Sequence, residues 1–509
     1  MGPPPDSSAD PEPVAAEASL EAAAPTRRAP GLDGLITATF ALAGFGFGLQ
    51  RLFDNSFLWH LRTGELILDS GGIPRVDPYS FTASGTSWVD QSWLVQVAYA
   101  ALDRTVGPWG IRLLGAVAGA LLMVLLFRLA LRFAGETWRA AGLTLVAVLT
   151  IRELWTVRPL AFGLVAFVGL VWIVEVRESW VRRHVVVVLP VLFWLWVNAH
   201  GSFALGFVYL LLHFVGNWWD GHRPWDGEDR RLLIAAGISS VVVFVTPLGY
   251  RLALFPLRVL DRGDMFRQVT EWASPDFREP AGMVFGLWLA VLVVVMARGR
   301  HRVSRRDLLV TLPFVLLALW ARRNVAVAPI VTLPIAARAV AVPRRLRSPL
   351  APVPAWAFAC VLAVAAVVLT TNAAAEDDFD LEFYPVEAVD HLDEEGLLGS
   401  NVFTTDSWAG YLIWRSWPDQ LVYMDDRVDM YPREVFDDYN EVSDVGEGWS
   451  DVLDRRDIEV VVWPTERALN QVLEVSPQWT LAYEDDTARV YEREPDEREP
   501  DERGEAADR

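Results

Sequence analysis

A short stretch after the first apolar run carries the side chains best suited to acid–base chemistry. It covers residues 54–65 and reads DNSFLWHLRTGE. An aspartate within one or two turns of a membrane surface suits two roles, general base toward an acceptor hydroxyl and metal ligand. Asp54, Leu58 and Arg62 lie four apart, which also predicts a short interfacial helix. In that alternative Asp54 only caps the helix and Trp59 anchors it at headgroup depth.

Other carboxylates lie in two predicted long outer loops. Asp77 and Asp90 follow in the first loop among turn-forming Pro, Gly and Ser residues, so we expect them to cap turns or helices. Glu271, in the fourth loop, is the second catalytic candidate, because it could complete an acid–base pair with Asp54. His60 is assigned an accessory role near the acceptor.

Arginine and histidine side chains cluster at the predicted outer ends of several apolar runs. An ionisable group at mid-bilayer costs at least ~2.5–3.5 kcal/mol and usually marks a functional path. Guanidinium groups also hold phosphate bidentately. The alternative is that each arginine only snorkels to the membrane surface. The residues predicted to bind a donor phosphate are Arg158, His200, Arg322 and Arg323.

Three further candidates belong to the acidic C-terminal part of the chain. Trp408 follows one predicted strand, and Asp426 and Arg427 follow the next. Loops at the carboxyl ends of strands bind ligands in α/β sheets. These residues are therefore assigned to the acceptor or to an accessory role, with helix capping by Asp406 or Ser407 as the alternative.

Several kinds of site are excluded by the sequence. It has no Walker A loop, no G-x-G-x-x-G fingerprint, no His-Glu-x-x-His motif and no Cys/His cluster. Cys360 is the single cysteine, so neither an intrachain disulfide nor a Cys-based metal site can form. The metal is left unknown, with a divalent cation as one expectation. An acidic soluble part disfavours nucleic acid as a partner.

The charge divides the chain into two regions. The net charge is −20 and 52% of the residues are hydrophobic. From Glu376 onward there are 39 acidic against 11 basic residues, a net charge of −28, which leaves +8 for the rest. A polytopic membrane bundle followed by an acidic folded domain explains this division.

Apolar runs long enough for membrane helices recur along residues 31–372. The predicted spans number about eleven: 32–50, 110–129, 140–155, 159–176, 185–197, 203–219, 232–246, 281–297, 308–320, 325–342 and 353–371. Arginines concentrate in alternate connections, which places the N-terminus in the cytoplasm and the C-terminus outside, in a cell (inner or plasma) membrane.

The domain organisation follows from these spans. Residues 1–30 are predicted to be a disordered cytoplasmic tail, and 31–372 the bundle, with a first outer loop at 51–109 and a fourth at 247–280. Residues 376–493 are predicted to form an extracytoplasmic α/β domain with a small, mostly parallel sheet. Its predicted strands are 401–405, 421–424 and 459–463 and a hairpin of 480–483 with 489–492. The remaining residues, 494–509, are predicted to be a disordered acidic tail.

This pattern resembles the GT-C superfamily of membrane glycosyltransferases, which includes the protein mannosyltransferases and the catalytic subunit of oligosaccharyltransferase. The resemblance lies in a first-loop aspartate beside the membrane, many spans and an outer C-terminal α/β domain. It implies polyprenyl-phosphate-linked sugars as donors and Asp54 as base or metal ligand. Residues 407–411 are faintly similar to an oligosaccharyltransferase peptide-binding motif. Residues 58–64, 198–203 and 408–427 also resemble a widespread group of polytopic bacterial and archaeal membrane proteins.

The sequence therefore favours a membrane glycosyltransferase that moves a sugar from a polyprenyl-phosphate donor to an extracytoplasmic acceptor, with membrane lipids as its surroundings. A transporter or lipid-headgroup exporter is one alternative, and a non-catalytic scaffold for envelope assembly is another. A single cavity joining Asp54 to the arginines would favour the enzyme. A continuous channel would favour transport, and a filled bundle the scaffold.

Overall fold

The computed structural model of the chain describes residue 2 and residues 31–152, 155–266, 268–299, 303–342 and 352–494. The two predicted disordered ends, 1–30 and 494–509, lie outside the described residues except for Gly2 and Glu494.

Apolar runs with few helix breakers give the first three quarters of the chain a helical architecture. Its helices are α1 (Leu32–Gly48), α2 (Phe57–Ser70), α3 (Trp93–Val106), α4 (Pro108–Ala134), α5 (Thr137–Ile151), α6 (Leu160–Glu175), α7 (Trp180–Arg183), α8 (Val185–Ala199), α9 (Phe203–Trp219), α10 (Gly227–Val242), α11 (Tyr250–Ala253), α12 (Phe255–Asp261), α13 (Gly263–Phe266), α14 (Pro280–Arg298), α15 (Arg305–Trp320), α16 (Val327–Ala339) and α17 (Pro352–Ala375).

Each of the predicted spans coincides with a helix: α1, α4 to α6, α8 to α10 and α14 to α17. Within the described part of the chain, three helical segments are long and apolar enough to cross a membrane by length and composition, namely Pro108–Ala134, Pro280–Arg298 and Pro354–Ala375. Five shorter apolar helices accompany them. These helices support a membrane location, while the number of spans and the sidedness of the termini stay predictions.

The segment 51–109 is an ordered helical layer. It folds into α2 and α3, which pack so closely that a Cβ on Gly64 would lie 2.0 Å from the Gln96 carbonyl oxygen. Trp59 is only 7% exposed, and its indole donates to Asp426 in the C-terminal domain. The expectation that Trp59 anchors an interfacial helix at headgroup depth is therefore wrong, because α2 is buried under that domain.

The C-terminal part, 376–494, alternates helices and strands as predicted. Its elements are α18 (Val386–Glu394), β1 (Val402–Thr404), α19 (Asp406–Ser416), α20 (Arg433–Ser443), α21 (Trp449–Arg455), β2 (Val460–Pro464), α22 (Leu469–Leu473), β3 (Trp479–Glu484) and β4 (Ala488–Arg493). We call this part the tail domain.

The tail-domain sheet is mixed, with the order β1-β2-β4-β3. Only β1 and β2 run parallel, whereas β2 with β4 and β3 with β4 are antiparallel. The expected mostly parallel sheet is wrong, because the closing hairpin adds its strand β4 directly to β2. The predicted strand 421–424 makes only isolated bridges, from Val422 to Val402 and to Ser80 of the first loop.

The tail domain and the α2–α3 layer share one hydrophobic core, which runs from Leu52 and Phe57 to Val490 and Tyr491. Gly410 of α19 makes the closest approach, since a Cβ there would lie 2.3 Å from the Asn55 carbonyl oxygen. Arg62 donates 2.8 Å to the Trp417 carbonyl across the same interface. The two parts are thus fixed relative to each other, and the cavity described next lies where they meet.

Candidate active site at the junction of bundle and tail domain

A cavity of about 1380 Å³ lies between the bundle, the α2–α3 layer and the tail domain. Eight of the ten predicted site residues line it, and they come from distant parts of the chain: His60, Arg158, His200, Glu271, Arg323, Trp408, Asp426 and Arg427. The other two, Asp54 and Arg322, are not among the described residues of its wall.

Asp54 lies directly behind Arg158. Both Asp54 oxygens are 2.6 Å from Arg158 Nε, and one also accepts from the backbone N–H of Ser56 at 2.9 Å. Asp54 is 4% exposed. The bond to Ser56 closes a turn ahead of α2 and does not cap the helix, whose N-cap residue is Ser56, contrary to the capping alternative. The ion pair orients Arg158, which precedes α6, toward the cavity.

Arg158 bridges three groups at the polar end of the cavity. Besides Asp54, its guanidinium donates to Glu271 and to the side-chain oxygen of Asn55. Burial alone would lower the pKa of Arg158, but the carboxylates of Asp54 and Glu271 raise it above its usual range. Burial alone would raise the pKa of Glu271, and Arg158 with Arg323 holds it below its ordinary value. Arg158 and Glu271 are therefore both charged at neutral pH.

Arg323 presents the least committed guanidinium of the site. It lies 4.5 Å from the ring centre of Trp272, a cation–π contact, and makes no hydrogen bond or ion pair with the residues that the structure describes. Two short 3-10 turns, Thr270–Trp272 and Arg322–Asn324, hold Trp272 and Arg323 side by side. We call Arg158 and Arg323 the arginine pair.

Arg322 is not among the described residues that line the cavity. Its guanidinium lies 3.2 Å from Glu279, and it borders a separate small pocket with Pro275 and Val325. Its backbone N–H donates 2.9 Å to the Ala273 carbonyl, which fixes the turn. The predicted role of Arg322 in binding phosphate stays a prediction, although consecutive residues of a tight turn project in different directions and Arg322 contacts Glu279.

Asp426 reaches the cavity from the tail domain. It accepts from Trp59 Nε1 at 2.7 Å, from Asn55 Nδ2 at 3.2 Å and from the Ser56 hydroxyl. Burial raises the pKa of Asp426 to about 7, although Arg158 opposes the shift. Asp426 thus fastens the tail domain to the start of α2 while bordering the cavity.

The charge of Arg427 is neutralised inside the wall. It donates to Asp425 at 2.8 and 3.0 Å and to Asp77 at 2.7 Å, and its guanidinium lies 4.5 Å from the Trp88 ring centre. Arg427 is 3% exposed. Arg427 therefore holds the first loop, 51–109, against the tail domain through its bonds to Asp77 and Asp425.

The two histidines of the wall are uncharged. Burial lowers the pKa of His60 well below its usual value, with Arg158 adding to the effect, and burial lowers the pKa of His200 to about 3. His200 Nδ1 accepts from the backbone N–H of Ser202 at 3.1 Å, so its proton lies on Nε2. His60 Nδ1 lies 2.9 Å from Gln96, which also donates 2.8 Å to Asp90.

The rest of the wall has two chemically different faces. The apolar wall comes from α6, α9 and α12 and includes Leu164, Leu205, Val208 and Leu260. Val208 and Leu260 are 37% and 72% exposed, so this wall continues onto the outside of the bundle.

The tail-domain wall lies at the carboxyl ends of β1 and β2 and offers aromatic rings and polar groups. Its residues are Thr405, Asp406, Ser407, Trp408, Phe436, Tyr439, Trp463, Thr465, Glu466 and Arg467. Trp408 is 2% exposed and donates 2.8 Å to the Phe383 carbonyl.

Sequence reasoning missed Asn55, Trp272 and Asp429, which also line the cavity. Asn55 and Trp272 directly follow two residues that were singled out, Asp54 and Glu271. Asp429 comes two residues after Arg427 in the segment MDDRVDM, whose density of carboxylates was the available signal.

A divalent cation does not fit this donor set. Among the described residues no group of three or more His, Cys, Asp or Glu side chains could hold a metal ion. The two carboxylates nearest the polar end, Asp54 and Glu271, both contact Arg158. The guanidinium therefore supplies the positive charge between them, and the metal expected from the sequence stays a prediction.

No protein-family model matches the chain, and no curated protein matches it. Among solved structures, it is similar to the archaeal oligosaccharyltransferase AglB from Archaeoglobus fulgidus, in complex with an inhibitory peptide and a dolichol-phosphate. The identity is 12% and the TM-score 0.48, over 84% of this chain and 69% of that chain. It is also similar to ArnT from Cupriavidus metallidurans bound to undecaprenyl phosphate, with 12% identity and a TM-score of 0.48, over 90% of this chain and 97% of that chain.

Proposed function

We propose that the chain is a membrane glycosyltransferase that moves a sugar from a polyprenyl-phosphate-linked donor to an extracytoplasmic acceptor. The observation that carries this proposal is the cavity itself. A polar end that holds two guanidinium groups, an apolar wall and a polar, aromatic wall meet in one space of about 1380 Å³. An amphiphilic donor and a hydrophilic acceptor need these three surfaces together.

The arginine pair is the proposed binding site of the donor phosphate. No N–H group of Arg323 is used in a hydrogen bond to a described residue, so all of them are available to a phosphate. Arg158 keeps two of its five N–H groups for the same purpose after bonding to Asp54, Glu271 and Asn55. Charge-assisted bonds from guanidinium to phosphate oxygens are short and strong. The apolar wall beside Val208 and Leu260 then accommodates the first units of the polyprenyl chain.

The remaining predicted residues support this complex. The leaving group of such a donor is already activated, so catalysis needs mainly positioning and stabilisation of the charge that develops on the phosphate. Asp54 holds Arg158, and Glu271 exchanges with the incoming phosphate on the same guanidinium. His200 offers an uncharged N–H donor at the cavity wall. The tail-domain wall, with Trp408, receives the acceptor.

The proposal is tested by transfer of labelled sugar from a panel of polyprenyl-phosphate sugars. Purified full-length protein in lipid nanodiscs is mixed with envelope membranes of the source organism that lack this protein. We expect turnover by the wild type and at least a ~100-fold lower rate for Asp54→Ala, because Arg158 loses the carboxylate that orients it.

The matched control is Asp69→Ala, which removes an exposed α2 carboxylate that pairs with Arg104 outside the cavity. Its rate should equal that of the wild type. Absence of transfer with every donor would contradict the proposed function, and equal rates for Asp54→Ala and the wild type would contradict the role of Asp54.

A further inference from the structure

We propose that Asp429, a residue of the tail domain, accepts the proton that the acceptor releases during sugar transfer. This inference rests on the proposed function and adds a catalytic residue to it. The buried and half-buried carboxylates around the cavity differ in whether they have a partner.

Asp429 is held at the cavity by a tight turn. The Met430 N–H donates 3.0 Å to the Arg427 carbonyl, and both Arg427 and Met430 are buried, each 3% exposed. Between them the Asp429 side chain is half-buried and borders the cavity. Its buried neighbours therefore fix the direction of a side chain that itself faces open space.

The other carboxylates near the reacting groups already have partners. Asp54 and Glu271 contact Arg158, and Asp426 accepts three hydrogen bonds. Asp90 is 2% exposed and bonds to Gln96 and to the Ser92 N–H. Asp406 accepts from Ser407 and Tyr439.

Asp429 differs from this set. Among the described residues that line the cavity, it is the half-buried carboxylate with no hydrogen bond or ion pair to another described residue. Apart from a bond to its own backbone N–H, its carboxylate is therefore available to a ligand.

The charges around Asp429 suit a proton acceptor at neutral pH. Burial raises the pKa of Asp429 to about 6, Arg427 and Arg262 limit the rise, and Asp425 adds to it. Burial lowers the pKa of Arg323 and raises that of Asp90; Asp429 opposes the first shift and adds to the second, so its charge lies near Arg323. It is ionised at pH 7 and more basic than an exposed aspartate.

The step balances without a further reactant. The acceptor oxygen attacks the anomeric carbon of the donor sugar, and the bond from that carbon to the phosphate oxygen breaks. The electron pair of the broken bond goes to the phosphate, which leaves as polyprenyl phosphate against the arginine pair. The proton of the acceptor hydroxyl goes to the Asp429 carboxylate.

The test uses the transfer assay with Asp429→Asn, Asp429→Glu and a matched control, Asp437→Asn, an exposed carboxylate of α20 that is not among the described residues lining the cavity. Binding of polyprenyl monophosphate is measured for each variant. We expect Asp429→Asn to lower kcat by about 100-fold or more with donor binding unchanged. Asp429→Glu should restore part of the rate, and Asp437→Asn should match the wild type.

The pH profile separates a proton acceptor from a structural role. For the wild type, kcat/KM should fall as the pH drops through about 6, since a protonated Asp429 cannot take the proton. That acid limb should disappear in Asp429→Asn and persist in Asp429→Glu. A rate for Asp429→Asn within twofold of the wild type, with the acid limb retained, would overturn this inference and leave the proposed function standing. Wild-type protein that transfers no sugar would overturn both.

Discussion

Ionised groups at the polar end of the cavity nearly cancel, and this balance determines how an anion enters. Arg158 and Arg323 bring two positive charges, while Asp54 and Glu271 bring two negative ones. Glu271 has a 44% exposed side chain, whereas that of Asp54 is 4% exposed. Glu271 is thus the carboxylate free to move aside when a phosphate takes its place on the guanidinium.

Asp90 provides a test of how burial changes the pKa of a single carboxylate. Its carboxylate has no ion pair among the described residues, and one of its oxygens is buried without a hydrogen bond. Burial raises its pKa to about 7, against about 3.9 for an exposed aspartate. Above pH 7 the folded state therefore holds an unfavourable charge, and uptake of a proton removes this cost as the pH falls.

We expect Asp90→Asn to raise the melting temperature at pH 8, by a stabilisation on the order of 1–3 kcal/mol, and to leave it nearly unchanged at pH 5.5. Asn resembles the protonated carboxyl and keeps the contact with Gln96. Thermal unfolding of wild type and variant at the two pH values measures the difference. An equal shift at both pH values, or a loss at pH 8, would show that Asp90 is not a buried, unpaired charge.

At the scale of elements, the packing of α19 on α2 positions the cavity. Gly410 allows the α19 backbone to reach Asn55, whose side chain bonds to Arg158 and to Asp426. A Cβ at 2.3 Å from a backbone oxygen cannot be relieved by a rotamer change. Gly410→Ala should therefore lower the melting temperature and reduce transfer several-fold, because the start of α2 shifts relative to Asp426.

The control for this variant is Gly142→Ala in α5, where a Cβ would meet nothing within 4 Å. It should be neutral or slightly stabilising, since Ala favours a helix over Gly. If thermal unfolding and the transfer assay find Gly410→Ala as stable and active as Gly142→Ala, the close approach of the two helices is not required.

The elements themselves were largely predictable, because long apolar runs have few alternatives to helices. Phe203–Trp219 matches its predicted range, and the ends of α1 and α14 differ from prediction by only one or two residues. Residues 421–424 read as a strand by their β-branched and aromatic content but pair by isolated bridges. That outcome depends on Ser80, which is distant in sequence, so local propensity could not predict it.

The composition of the site was predictable, but the partner of each side chain was not. Asp54 and Arg158 could be selected by type and by position near the ends of apolar runs, and Glu271 by its type within a long predicted outer loop. Whether Arg322 or Arg323 faces the cavity depends on the direction of a single turn. Likewise, Asp429 is distinguished from Asp425 and Asp426 only by its lack of a partner, which requires the folded structure.

At the scale of the whole molecule, the cavity exists only because three parts of the chain meet. The bundle supplies the arginine pair and the apolar wall, the α2–α3 layer supplies Asn55 and His60, and the tail domain supplies Asp426 and Asp429. In a second charged network, Glu175 forms ion pairs with both Arg306 and Arg338. None of its residues is among the described residues that line the cavity, so the cavity stops short of that network.

The central claim is that the arginine pair binds the phosphate of a lipid-linked donor. It is tested most directly by the affinity of full-length protein in nanodiscs for polyprenyl monophosphate, comparing Arg323→Ala with its neighbour Arg322→Ala. The two variants remove the same charge from adjacent positions, one at the cavity and one paired with Glu279. We predict a Kd at least ~10-fold weaker for Arg323→Ala, as expected for loss of a charge-assisted contact, and a Kd within twofold of the wild type for Arg322→Ala. Equal affinities for the wild type and Arg323→Ala, or equal losses in the two variants, would contradict the assignment of the cavity to a phosphate-bearing lipid.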